Sequence, residues 1–319
     1  MRQIVALVTL ALIPGACTDE GRPTHRTTGA LSQQASWSRL LVEGEVTLAL
    51  AGPDRRAAGP GAVAVAPDGA ALVLDQLGQR VLRVTGHSVD ALAAVPTGAA
   101  DLALAADGAF VIHDRLRSLV RIHGPEGGLL GELRVPRVLE AVRGVALGPS
   151  RQVWLQDAHQ QRYLLGSPSV PRPLEAVLQS QRAGEYVLPG GEGLQVRVAK
   201  DGAVALRVMR KERVVRSLPI DGPVLAARVV GTAGGLACLR LEREALRTGT
   251  AFRVTRQALC VDVVSGATRL SLALPGVGAY LPRRELALGG VPLRLAHIRP
   301  EAGGLRVTTW VVDKGRADR

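Results

Sequence analysis

A chain of 319 residues with 47% hydrophobic and only 3% aromatic side chains can bury a large core, but one of Val, Leu and Ala rather than rings. The 37 Gly and 19 Pro fall between short apolar runs, which suits an all-β protein with many turns. The formal charge of +12 is spread along the chain without a basic helix, zinc spacing or aromatic-bearing strand, so nucleic acid is not an expected partner, whereas acidic partners are.

The chain opens MRQIVALVTLALIPGAC. Arg2 precedes an apolar run, Ile4 to Ile13, that is too short for the roughly 20 residues a bilayer span needs. It fits the apolar segment of a secretory signal, and the small residues Gly15 and Ala16 then lead to Cys17. The stretch resembles a bacterial lipoprotein signal, although Pro14 stands where that motif usually has an aliphatic residue. The resemblance implies that residues 1–16 are removed and that Cys17 carries the lipid; ordinary cleavage near Ala16 is the alternative. Residues 17–36 are polar and aperiodic and read as a flexible tether to a folded domain over 37–319. The expected location is outside the cytoplasm, periplasmic or outer-surface, with the lipid held in a bacterial membrane.

The first candidate strand of the body is EVTLAL, Glu45–Leu50. Three segments of one shape follow: VAVAPDGAALVLD ending at Asp75, LALAADGAFVIHD ending at Asp114, and VALGPSRQVWLQD ending at Asp157. Each is an alternating apolar strand, a tight turn, a second apolar strand and a terminal Asp. Gly69 and Gly108 follow Asp in the first two turns, where the backbone must take positive φ; Ser150-Arg151 replaces that pair in the third. A third strand follows each loop, at Arg80–Val84, Leu119–His123 and Arg162–Leu165. Units of about 40 residues made of short strands point to a β-propeller. The pattern resembles NHL and YVTN-type blades over Ala62 to about Leu165 and weakens beyond, where Asp201-Gly202 retains the turn without a closing Asp.

Division at 61–98, 99–138, 139–180, 181–220, 221–275 and 276–319 gives six blades, with Glu45–Leu50 left to close the ring; seven blades and two separate β domains are the alternatives. In the fifth unit a hairpin centred on Gly249 sets Cys238 opposite Cys260, close enough for a disulfide; two free thiols in register are the other possibility, and an oxidising compartment favours the bond.

No catalytic residue, cofactor or metal site is expected. Without Asn the metal set of gluconolactonase-type propellers cannot be copied, Trp37, Trp154 and Trp310 lack the repeated spacing of quinoprotein dehydrogenases, and Asp-box and nucleophile-elbow motifs are missing. Asp75, Asp114 and Asp157 are expected to accept loop N–H groups and to pair with Arg80, Arg115 or Arg162. If the blades repeat, their loops lie side by side, and Arg80, His113, Arg115, Arg117, His159 and Arg162 form the candidate partner-binding face, set apart from the central channel. The expected function is a non-enzymatic binding or scaffold module at the cell envelope with an acidic protein or glycan as partner. A divergent propeller hydrolase or lyase, or a structural subunit of an envelope complex, is the alternative.

Overall fold

A computed structural model describes residues 35–49, 57–139, 141–184, 186–188, 192–210, 213–248, 251–276, 278 and 280–313. Residues 1–16, Cys17 and the tether up to residue 34 lie outside the described residues.

The body is an all-β, six-bladed propeller. After β1 (Trp37–Val42), blade 1 is β2 (Ala62–Val65), β3 (Ala71–Asp75), β4 (Arg80–Val84) and β5 (Val89–Ala94). Blade 2 is β6 (Ala99–Leu104), β7 (Phe110–Asp114), β8 (Leu119–His123) and β9 (Leu129–Arg134). Blade 3 is β10 (Gly144–Leu147), β11 (Val153–Gln156) and β12 (Gln161–Ser167), with β13 (Val170–Pro171) and β14 (Arg182–Ala183) on the two ends of β12. Blade 4 is β15 (Tyr186–Val187), β16 (Gly193–Val198), β17 (Val204–Arg210) and β18 (Arg213–Ile220). Blade 5 is β19 (Ala226–Ala233), β20 (Leu236–Thr248), β21 (Ala251–Asp262) and β22 (Thr268–Leu274). Blade 6 is β23 (Leu286–Gly289), β24 (Arg294–Glu301) and β25 (Gly304–Val311), with β1 as its outermost strand.

The first strands of neighbouring blades pack on one another, β2 against both β6 and β23, β6 against β10, and β19 against β23 and β15. Because successive side chains point to opposite faces, each strand feeds two cores. Val63, Val65 and Val73 join Ile298 and Val307 of blade 6, while Ala62, Leu72 and Leu74 join Leu102 and Ile112 of blade 2. Both faces of β3 and β7 are therefore buried, which is why they read as unbroken apolar runs. Similar cores fill the seams between blades 2 and 3, 4 and 5, and 5 and 6.

The repeat extends to single hydrogen bonds. Gly69, Gly108 and Gly202 have φ of +87°, +86° and +81°, and in each turn the Asp before the glycine accepts the N–H of Ala70, Ala109 or Ala203. In blade 3, Ser150 and Arg151 take φ of 57° and 58° without a glycine. Gln79, Ser118 and Gln160 also have positive φ, and their carbonyls accept N–H groups of Val95, Val135 and Gly184. The outer edge of blade 3 departs from the pattern: the helix α1 (Leu174–Gln179) interrupts the fourth strand, and Ser180 Oγ receives the Leu164 N–H at 2.8 Å that a strand would have bonded.

One expectation is corrected and one pairing is found as expected. The strand that pairs with the C-terminal β25 is Trp37–Val42, not Glu45–Leu50. Gly44 turns the chain at φ +95°, the Glu45 carboxylate binds Arg39 and the Val42 N–H, and Thr47 N–H is committed to Asp75, so this segment makes no ladder; Leu50 itself lies outside the described residues. Cys238 and Cys260 stand directly opposite in register, with Cα atoms 3.9 Å apart and sulfurs at bonding distance, both fully buried in the seam between blades 5 and 6.

Candidate functional site

The six residues expected to share a face divide sharply. Arg80 donates to Asp75 Oδ2 at 3.1 Å and to the Glu45 carbonyl at 2.9 Å. Asp75 also accepts Thr47 and Gly78 N–H groups and is wholly buried, so this pair belongs to the scaffold. Arg162 is buried, donates to the Gly184 carbonyl at 2.8 Å and lies over the Trp154 ring; burial and then neighbouring Arg182 lower its pKa to about 10. Among the described residues the expected Asp–Arg pairing thus holds in blade 1 alone. Asp114 accepts Leu116 and Arg117 N–H groups, and Asp157 accepts those of His159 and Gln161, as loop-capping carboxylates do. Arg115, Arg117 and His159 remain exposed, while His113 is buried.

The stronger concentration of charge lies nearer the axis, on residues at the entry to the inner strands. Arg284, just before β23, bonds through its backbone to Gly61 and Val63 of blade 1. Its guanidinium reaches Asp101 Oδ2 of blade 2 at 2.8 Å and the Val145 carbonyl of blade 3 at 2.9 Å. Arg283 crosses to blade 3 as well, donating to the Val142 and Arg143 carbonyls. Arg228, on β19, points at the Arg283 carbonyl from blade 5. Blade 4 contributes Tyr186, whose hydroxyl bonds the Val230 carbonyl at 2.9 Å. Exposed Arg143 and exposed Arg115 border the same group and add to the positive field on Arg283.

Five guanidiniums thus belong to this group, and Asp101 acts on two of them, Arg284 and Arg283. Among the described residues only Arg284 of the five has a carboxylate partner. Burial works against its charge, but Asp101 outweighs burial and raises its pKa. Burial lowers the pKa of Arg228 and of Arg283, with Arg240 adding to the effect on the first. Glu285 pulls the other way on Arg228 and Asp101 on Arg283, without overcoming burial; Glu285 is bonded to Arg240 at 2.8 Å and to Arg256. His113 stands under the cluster, its pKa lowered to about 4 by burial and then by Arg283, against the pull of Asp101, so it is neutral at physiological pH. An unpaired, partly desolvated guanidinium is an unfavourable arrangement for a scaffold and a favourable one for receiving an anion.

Asp101, Arg143, Arg228, Arg283 and Arg284 were missed by the reading of the repeats. Asp101 directly precedes the LALAADG strand, Arg143 precedes GVALGPS, and Arg283-Arg284 precede ELALGG, so the signal was charge placed ahead of apolar runs, of which the first two were recognised and the third was not. Among the described residues no group of three or more His, Cys, Asp or Glu side chains is placed to hold a metal ion.

Fold and site together define a six-bladed β-propeller with a cationic axial mouth. Solved structures resemble the chain at low identity. A virginiamycin B lyase from Staphylococcus aureus is 11% identical over 86% of this chain and 99% of its own, with a TM-score of 0.43. A streptogramin B lyase is 11% identical over 86% of this chain and 89% of its own, TM-score 0.42. A protein of unknown function from Bacteroides caccae is 15% identical over 67% of this chain and 81% of its own, TM-score 0.42. No protein-family model matches the chain, and no curated protein matches its sequence.

Proposed function

We propose that this protein is an exported, lipid-tethered propeller of the bacterial cell envelope that acts as a non-enzymatic binding module and receives an acidic partner at its axial mouth. The observation that carries this reading is the excess of guanidinium over carboxylate where Arg115, Arg143, Arg228 and Arg283 meet. Anions are attracted there over the roughly 8–10 Å that salt leaves unscreened, and Arg then offers planar two-point contacts to a carboxylate or phosphate. The partner-binding face of the sequence reading is thereby moved inward: Arg115 belongs to it, and Arg80 and Arg162 do not. The signal-like segment and Cys17 support the location outside the cytoplasm.

The test compares two double variants of equal net charge in a soluble Cys17→Ser background. Arg115→Ala with Arg143→Ala should weaken binding to a glutamate oligomer at least tenfold, and the affinity of the parent should fall steeply with salt. Arg197→Ala with Arg213→Ala, two exposed positions on blade 4, should leave it near that of the parent. Equal loss in both pairs would reduce the effect to net charge and remove the site. Labelling cells with a fatty-acid analogue tests the anchor: label that survives Cys17→Ser, or never appears, rejects it.

A further inference from the structure

Two buried polar atoms at the blade 2 side of the mouth have no hydrogen-bond partner among the described residues: Asp101 Oδ1 and His113 Nδ1. They belong to directly opposed residues of β6 and β7, so both side chains leave the sheet on the same side. That side faces blade 3, because Asp101 Oδ2 accepts the Val145 N–H at 2.9 Å. Asp101 is 1% exposed and His113 3%. Buried groups of this kind are ordinarily satisfied, and a donor-capable nitrogen left beside an acceptor-only oxygen requires an explanation. Arg284 holds the other oxygen of Asp101, and the two further guanidiniums acting on His113, Arg283 and Arg115, have no ion-pair partner among the described residues.

Building on the acidic-partner reading above, we infer that this corner is a subsite for a uronic acid residue of an acidic glycan, in which Arg283 and Arg115 take the carboxylate while His113 and Asp101 take its neighbouring hydroxyl groups. Each part of the site asks for a different feature of the ligand. The guanidiniums call for a planar oxyanion. Asp101 Oδ1 can only accept, so it needs a hydroxyl or amine donor. His113, neutral in the fold, offers one donor or one acceptor. A glutamate or aspartate side chain supplies the carboxylate but no hydroxyl beside it. Phosphate supplies oxygens but no array of donors. A hexuronate carries its carboxylate on a ring whose hydroxyls both donate and accept.

Arg283 is free to change partners. Its guanidinium is held by two neutral backbone carbonyls, those of Val142 and Arg143. An incoming carboxylate is the stronger acceptor, because charge-assisted bonds exceed neutral ones by about twofold. Exchange of the carbonyls for the carboxylate would hold the ligand beside His113, with its hydroxyls toward the two unpaired atoms.

The test uses the full chain carrying Cys17→Ser, with a galacturonate oligomer and a glutamate oligomer of matched charge as probes, titrated calorimetrically at one salt concentration. The uronate should bind at least tenfold more tightly than the glutamate probe. His113→Phe, which keeps a ring but removes both nitrogens, should abolish that preference and leave glutamate binding unchanged. In the unsubstituted site, the imidazole NMR signals of His113 should shift with the uronate and stay put with the glutamate. Equal affinity for the two oligomers, or a preference that survives His113→Phe, overturns the subsite and leaves the two atoms to an ordered water only. Binding of neither probe overturns the acidic-partner reading itself, which is a separate result.

Discussion

Replacing Glu285 with Gln should be among the most destabilising single changes in the molecule. Glu285 is almost fully buried, its side chain 2% exposed, and it accepts from Arg240 at 2.8 Å and from Arg256, whose own side chain is 6% exposed. Gln preserves the shape but removes the one charge that both guanidiniums share. Breaking a buried pair by removing one partner costs about 3–5 kcal/mol, since the other charge stays desolvated. Arg240 retains Glu242 at 2.9 Å, which places the loss near the lower limit, about 3 kcal/mol. For a domain of this size that is a melting-temperature drop of roughly 6–12 °C. Burial alone would raise the Glu285 pKa, but the hydrogen bonds from Arg256 and Arg240 win and hold it below the ordinary carboxylate range. A lowered folded-state pKa means that the unfolded chain binds the proton more readily. The stability gap between parent and Glu285→Gln should therefore be complete above about pH 6 and shrink as pH falls below the ordinary carboxylate range. Equilibrium urea unfolding followed by tryptophan fluorescence at pH 7 and pH 4 measures both. Adding Arg256→Met to Glu285→Gln removes the stranded cation and should recover most of the loss. A loss under about 1 kcal/mol at pH 7, or no recovery in the double variant, would refute the buried-charge reasoning.

Cys238 and Cys260 should resist alkylation in the native protein until a reductant is added, and replacing both with Ala should cost about 3 kcal/mol for a crosslink spanning 22 residues; rapid native alkylation would show free thiols. His297 has its pKa lowered to about 4 by burial, so the unfolded chain takes up its proton first and stability drains away as pH falls from about 6.5 toward 4, by up to roughly 3 kcal/mol. His297→Leu should flatten that part of the stability–pH curve, and an unchanged slope would place the effect elsewhere. Asp75→Ala should cost about 3 kcal/mol or more in urea unfolding, because it strands two N–H groups and Arg80, whereas Asp157→Ala, half-buried and without an ion pair, should cost clearly less. Arg162→Met should leave affinity for a glutamate oligomer unchanged, since its guanidinium is already turned inward to Gly184.

The fold was legible because the first three blades repeat their local chemistry. Asp-Gly turns, apolar runs buried on both faces, and a terminal Asp that caps the next loop all act within one blade, and local rules can be read locally. The strand from the chain's beginning was harder. Both WSRLLV and EVTLAL alternate well enough to pair, and what decides between them is the use of Thr47 and Glu45 in holding the Asp75 loop and the first turn. That contact joins residues 28 positions apart and leaves no trace in either segment's pattern. The same limit applies to Arg162, which reads as a surface loop residue and is instead swallowed by α1 and the short strands that replace a regular fourth strand.

The axial mouth shows why a repeat is a device for assembling a site as well as a fold. Each inner strand starts at the axis, so whatever residue stands at its entry is delivered there, however far away its neighbours lie in sequence. Gly61, Asp101, Arg143, Tyr186, Arg228 and Arg284 are such residues, one per blade, and they span most of the chain. Glycine and tyrosine at two entries leave room and a hydroxyl, aspartate at one pairs with Arg284, and arginine at two more, Arg143 and Arg228, has no carboxylate partner among the described residues. A scaffold selected only for stability would place carboxylates opposite those arginines, as this chain does between blades 5 and 6 with Glu285. Glu285 lies two residues after Arg283, so within one short segment the chain supplies a carboxylate to Arg240 and Arg256 and, among the described residues, leaves Arg283 on backbone carbonyls alone. That contrast within one short segment is the strongest physical reason to look for an anion at the axis rather than at the rim.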